Sequence, residues 1–264
     1  MDSKDGNSII ESVLKDSGIP KPVLIKRNDF PQDVLTRNQI RVLNVLIGRS
    51  QRSSMEAASS IDEKLGIGAS QILAEYCKGC LMTINFSGAL FEKFAASDHY
   101  KSLYEVRGPN SSRDSAEDRV FLDIYKDSPH VERPKYGSLD VHSRPGYDAR
   151  CYGACHFVLN ESVRKRVSVT DRDSFGIVEV GTCDWILHVI GKLPKNELET
   201  IYDIACGKIA TTDKLFSYVE IQIHGLLRFA YDIAEIHVPR NTDKKIMEHG
   251  RKFAEKFGIK FIVD

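Results

Sequence analysis

Phe216-Ser-Tyr-Val-Glu-Ile-Gln-Ile-His-Gly225 is the stretch that decides how the chain folds. Side chains along a strand alternate between two faces, so Val219, Ile221 and Ile223 fall on one side and Glu220, Gln222 and His224 on the other. The first face belongs against a core. The second has two readings: a sheet face that meets water, or a row of carboxylate, amide and imidazole preorganised on one rigid element for acid, base and orienting work.

Working outward, residues after this strand read as strand, helix (Asp243 to Phe257) and strand (Ile259 to Val263). Before it, Asp184 to Ile190 and Asn196 to Cys206 carry helical patterns separated by Leu193-Pro194, and Arg166 to Val169 reads as a strand. Tyr136-Gly-Ser-Leu-Asp-Val-His142 and Arg150-Cys-Tyr-Gly-Ala-Cys-His-Phe-Val-Leu159 are expected to form a hairpin around the turn at Arg144 to Asp148. Arg107 to Ala116 is expected to be a polar loop, and Tyr100 to Val106 a strand or an ordered entry to that loop. Met82-Thr-Ile-Asn-Phe86 alternates as a strand, followed by a helix over Ala89 to Ala96.

The front of the chain differs in character. From Gln32 to Leu65, and again over Ala69 to Tyr76, apolar residues recur at helical spacing. Residues 1–30 are polar and carry Pro20 and Pro22, which leaves a short helix at most, Ile9 to Leu14. The expectation is an α+β protein with a flexible lead (1–30), a helical region (31–80) and a β-containing core (81–264).

The 264 residues hold 37 Lys+Arg against 37 Asp+Glu with 42% hydrophobic residues, the composition of an ordinary globular chain. Zero net charge gives no global attraction to nucleic acid or anionic membrane, so neither is expected as a partner, and the chain is expected to act as a monomer. No apolar run approaches the roughly 18 to 20 residues that span a bilayer, and the N-terminus lacks the apolar centre of a secretory signal. Six cysteines include Cys77-Lys-Gly-Cys80 and Cys151-Tyr-Gly-Ala-Cys155. Cys151 and Cys155 in one extended strand would share a face too far apart for one ion, so no metal is expected and the thiols read as free.

Three groups of residues are candidates for a site. Glu220, Gln222 and His224 form the first. Tyr136-Gly137-Ser138 and Tyr152-Gly153 form the second, because glycine beside an aromatic ring lets a flat ligand approach the backbone while the ring stacks; the plainer reading is a bulge and a packing tyrosine. Asn85 at a strand end and Arg107 at a loop entry form the third, suited to ribose and phosphate or, more plainly, to a surface loop. Glycine-rich phosphate loops, a nucleophile elbow and a His-Glu-x-x-His helix are absent from the sequence, so a nucleotide would not bind in a Rossmann or P-loop manner.

Glu-Arg-Pro-Lys-Tyr-Gly-Ser-Leu, Arg-Cys-Tyr-Gly-Ala-Cys-His-Phe-Val-Leu and Tyr-Val-Glu-Ile-Gln-Ile-His-Gly-Leu, in this order between Met82 and Val263, resemble a bacterial domain family whose members include the CteC-type secreted effectors. The resemblance implies an ADP-ribosyltransferase-like split β core, NAD+ as substrate, and transfer of ADP-ribose to a threonine hydroxyl of host ubiquitin, which blocks ubiquitination. It implies Glu220 as the catalytic glutamate with Gln222 beside it, and NAD+ contacts from Asn85, Arg107, Tyr136, Gly137, Ser138, Tyr152 and His224. The order Glu220-x-Gln222 departs from the Glu-x-Glu or Gln-x-Glu pair of such transferases and agrees with a hydroxyl acceptor rather than a guanidinium. It further implies secretion by a bacterium into the host cytosol, for which the polar residues 1–30 would suit a type III signal. Two other functions remain open from the residues: a non-enzymatic module binding host protein through the Tyr-Gly strands, with the Glu220 face solvated, and an NAD+ glycohydrolase.

Overall fold

The computed structural model describes residues 23–26, 29–30, 34–108, 111–176 and 178–264. The expected short helix at Ile9 to Leu14 and most of the 1–30 lead lie outside them. The architecture is α+β. Eight strands form one sheet: β1 (Met82–Phe86), β3 (Lys135–Leu139), β4 (Cys155–Leu159), β5 (Val167–Thr170), β6 (Val180–Thr182), β7 (Val219–Ile223), β9 (Ile233–Val238) and β10 (Lys260–Val263), in the order β10-β9-β4-β1-β3-β7-β5-β6. Every pairing is antiparallel except β9 with β10, whose parallel register needs the crossover helix that joins them. Two short strands, β2 (His99–Tyr100) and β8 (Leu227–Arg228), pair separately.

The two faces of the sheet obey the alternation of β7. Val219, Ile221 and Ile223 are fully buried with Ile84, Phe157 and Ile236 from neighbouring strands. Helices cover this face: α1 (Arg37–Leu65) by its C-terminal Ile61, α2 (Ala69–Gly79) by Leu73 and Cys77, α7 (Lys195–Ala205) by Leu198 and Ile201, and α9 (Lys244–Phe257) by Phe253. Burying an aliphatic or aromatic side chain is worth about 1.5–3 kcal/mol, so this single apolar layer supplies most of the driving force for folding. Local chemistry sets the helix ends: Thr36 and Gln39 close a capping box on α1, Asp243 caps α9, and Gly258 ends α9 at φ 69°. No described helix is long and apolar enough to cross a membrane.

The opposite face is polar along the same strands. Ser138 and Thr170 flank Glu220 in register, and Tyr136 and Ser168 flank Gln222. Helix α5 (Ser111–Phe121) and the turn to Tyr125 lie over this part of it, with Val120, Phe121 and Tyr125 packing against Val42 and Leu46 from the first half of α1.

Three expectations are corrected. The hairpin does not form, because β1 inserts between its two strands and pairs with β3 on one side and β4 on the other. The described residues of the Arg107 to Ala116 stretch are mostly helix rather than loop: Arg107 ends the short helix α4 (Leu103–Arg107), and Ser111 to Ala116 opens α5. Tyr100 to Val106 is mostly that same helix α4, started by the capping box of Ser102 and Glu105, and only Tyr100 belongs to a strand.

Candidate functional site

On the polar face of β7 the three singled-out side chains are almost wholly enclosed: Glu220 is 5% exposed, Gln222 and His224 0%. A merely solvated face is therefore ruled out. Buried polar groups must find partners, and here the protons can be assigned in one direction. The Tyr125 hydroxyl donates to His224 Nδ1 (2.7 Å), His224 Nε2 donates to Ser168 Oγ (2.9 Å), and Ser168 Oγ donates to Gln222 Oε1 (2.8 Å). The Gln222 amide then donates to Thr170 Oγ1 and to Glu220 Oε1, each over 2.9 Å. This pattern needs a neutral His224, and burial pushes its pKa down to about 3, with the Arg166 and Lys135 charges acting in the same direction. With no exposed surface and both ring nitrogens bonded, His224 is framework and offers nothing to a cofactor.

Glu220 is the outward end of this chain. Its Oε1 also accepts from the Ser174 backbone N–H (3.3 Å), and its Oε2 from the Tyr218 hydroxyl (3.3 Å). Burial raises its pKa; the bonds from Ser174 and Gln222 oppose that rise, and the Asp173 charge adds to it. Tyr218 shares the polar face of the β7 segment. Its hydroxyl lies 2.7 Å from that of Tyr152, one donating to the other, and both phenol oxygens lie 3.3 Å from Asp173 Oδ2. Tyr152 is 54% exposed and meets Tyr218 edge to face, with ring centroids 5.7 Å apart.

A second carboxylate stands over Tyr136. Glu117 of α5 is 2% exposed, accepts the Tyr136 hydroxyl at 2.5 Å and pairs with Arg133 at 2.9 Å. Burial, opposed by those two bonds, pushes its pKa up to about 6. One helical turn earlier, the Arg113 guanidinium lies 4.6 Å from the Tyr136 ring centroid and 4.8 Å from that of Phe175. Burial opposes the Arg113 charge, and Tyr136, Glu117 and Glu220 more than restore it.

Of the residues singled out in the sequence, Glu220, Gln222, Tyr136 and Tyr152 thus meet around one spot, and Ser138 lies beside Glu220 in register while bonding Thr83. The others do different work. Asn85 donates to the carbonyls of Gly146 (2.7 Å) and Gly153 (3.0 Å), fixing the Tyr152 turn to β1. Arg107 is exposed at the end of α4. Gly137 faces the apolar layer, where a Cβ would sit 2.2 Å from the Thr83 carbonyl oxygen, and a Cβ on Gly153 would sit 2.0 Å from the Phe86 carbonyl carbon. Both glycines admit protein backbone rather than a ligand.

Arg113, Glu117, Asp173 and Tyr218 were missed. Only Tyr218 had a legible signal, since it precedes Glu220 by two residues; the others arrive from a helix and a loop whose positions no local pattern gives.

Two further features lie elsewhere. A cavity of about 700 Å³ between α1, residues 23–25, 29 and 30, and the Thr182 to Leu187 segment shares no residue with the Glu220 cluster. His156, His237 and Asp264 bring ligand atoms within 4.8 Å of one another, the composition of a metal centre. Yet the two imidazoles stack at 4.5 Å and 14°, so their in-plane lone pairs run side by side, and both nitrogens of His237 already face Asp264 and Glu235. The arrangement does not suit an ion.

A family profile described as a protein of unknown function, DUF3626, matches residues 105–213, less than half of the chain. The match takes in Arg113, Glu117, Tyr136, Tyr152 and Asp173 and ends before β7. A search of curated proteins finds no match.

Proposed function

We propose that the chain is a mono-ADP-ribosyltransferase that moves ADP-ribose from NAD+ to a threonine hydroxyl of ubiquitin, with residues 81–264 as an ADP-ribosyltransferase-like catalytic core behind the helical region 31–80. In this reading a bacterium delivers it into the host cytosol. The observation that carries the activity is the Glu220 carboxylate: 5% exposed, fixed by Gln222 and Ser174, and bordered by the hydroxyls of Tyr218 and Tyr152. The threonine and ubiquitin targets rest on the sequence resemblance.

Breaking the bond between nicotinamide and ribose builds positive charge on the sugar, and a fixed carboxylate in a water-poor site stabilises it without reorganising. Gln222 holds that carboxylate in place. The rings of Tyr136 and Phe175, which already flank a planar cation in Arg113, supply faces for the pyridinium of NAD+. NAD+ enters where Tyr152 and Phe175 are exposed. The test is release of nicotinamide from NAD+ by wild type and by Glu220→Ala, matched for folding. The reading expects a loss on the order of 100-fold in the variant; equal turnover, or none in the wild type, contradicts it. In the latter case a protein-binding module becomes the better account.

A further inference from the structure

Asp173 sits in the 171–176 segment that follows β5 and closes over Glu220. One oxygen of its carboxylate, Oδ1, accepts the Phe175 N–H at 3.0 Å and so fixes the group to its own turn. The other, Oδ2, lies 3.3 Å from both phenol oxygens, and the Tyr218 phenol reaches Glu220 Oε2 over the same distance. Two carboxylates therefore share one hydroxyl. Exposure rises along this path: Glu220 is buried, Asp173 and Tyr218 are half-buried, and Tyr152 is exposed.

Transfer to an alcohol makes two demands on carboxylates. One stabilises the sugar cation, and the other takes the proton that an acceptor hydroxyl, shielded from bulk solvent by the bound protein, must lose. Glu220 is enclosed and committed to Gln222, Ser174 and Tyr218. Among the described residues the Oδ2 of Asp173 meets the hydroxyl groups of Tyr218 and of the exposed Tyr152, and an incoming hydroxyl can replace the latter at the same oxygen.

We infer that Asp173 is the base that deprotonates the acceptor hydroxyl. This rests on the reading of Glu220 as the centre of an ADP-ribosyltransferase. The C1′–N bond of NAD+ breaks and its electron pair leaves with nicotinamide, which departs neutral. A lone pair of the acceptor oxygen forms the new bond to ribose C1′, and the hydroxyl proton passes to Asp173 Oδ2. Nothing is oxidised or reduced. Tyr218 bridges the two carboxylates, and Tyr152 holds the place of the acceptor until it arrives.

The experiment compares Asp173→Asn and Asp173→Glu with wild type in three readouts: nicotinamide release in water, ADP-ribosylation of ubiquitin, and formation of the methyl glycoside of ADP-ribose with methanol as a small alcohol. Asparagine keeps an acceptor for the Phe175 N–H, so the turn survives, and a thermal melt checks this. The expected result is a fall in ubiquitin modification on the order of 100-fold for Asp173→Asn, with nicotinamide release changed only a few-fold because water can pass its proton to bulk solvent, and partial recovery in Asp173→Glu. Wild-type transfer by Asp173→Asn, or an equal fall in transfer and hydrolysis, overturns the assignment. So does a wild type that cleaves NAD+ yet modifies neither alcohol. A wild type that leaves NAD+ intact defeats the reading of Glu220 itself, and this inference with it.

Discussion

Gln222 donates its amide to Glu220 across two residues of one strand, Nε2 to Oε1 at 2.9 Å, while its carbonyl accepts from Ser168 at 2.8 Å. The glutamine is thereby the joint between a closed polar interior, which ends at Tyr125, and the carboxylate that faces outward. An amide can do this because it carries both a donor and an acceptor; an ionised glutamate in its place could accept from Ser168 but could not also donate to Glu220.

Replacing Gln222 by Leu leaves Ser168 and Glu220 without this partner in a buried setting, which costs about 1–3 kcal/mol. Urea unfolding is expected to show that loss. Because the Gln222 bond opposes the rise in the Glu220 pKa, its removal is expected to move the acid limb of activity to higher pH. An unmoved limb would mean that Gln222 is a packing residue only.

His224 carries a pH signature. In the fold it takes a proton only below about 3, against 6.5 for an unperturbed imidazole, so between those values the unfolded chain binds more protons. Its contribution is fully present above 6.5 and is lost as pH falls toward 3. Glu117, raised to about 6 from 4.5, acts with the opposite sign over its own window. The comparison therefore has to be made between wild type and His224→Gln, by urea unfolding at pH 5 and pH 7. The variant is expected to lose less stability on acidification than the wild type does.

Gly137→Ala is expected to destabilise the sheet by about 1–3 kcal/mol, because the added Cβ would lie 2.2 Å from the Thr83 carbonyl oxygen and press on Ile84 and Ile221. A lowered thermal midpoint checks this. An unchanged midpoint would argue that β1 and β3 are not held in the described register.

Arg113→Ala removes the cation that lies over Tyr136 and Phe175 and whose charge acts on Glu117 and Glu220. NAD+ titration of this variant by calorimetry is expected to give a changed affinity, with a cooperative thermal melt checking that the variant is folded. Identical affinity would place the two rings outside the substrate site.

Much of the strand content was legible because alternation is local. The period of two in Val219 to His224 names both faces of β7, and the amphipathic run from Asp243 to Phe257 names α9. What local pattern cannot give is which strand lies beside which, and so β1 between β3 and β4 went unforeseen. Helix α5 was hidden for a different reason. Its buried side carries Glu117, whose partners Arg133 and Tyr136 come from elsewhere, so a charged residue stands where a periodic pattern would need an apolar one. The Glu220 site shares that difficulty. Its strand residues were visible, while Arg113 and Asp173 become visible only once the chain has folded over them.

Incubation of the purified chain with NAD+ and ubiquitin, wild type beside Glu220→Ala, followed by the intact mass of ubiquitin, tests the transferase reading. A gain of one ADP-ribose is expected with wild type and none with the variant. Unmodified ubiquitin beside intact NAD+ in the wild-type reaction would contradict it.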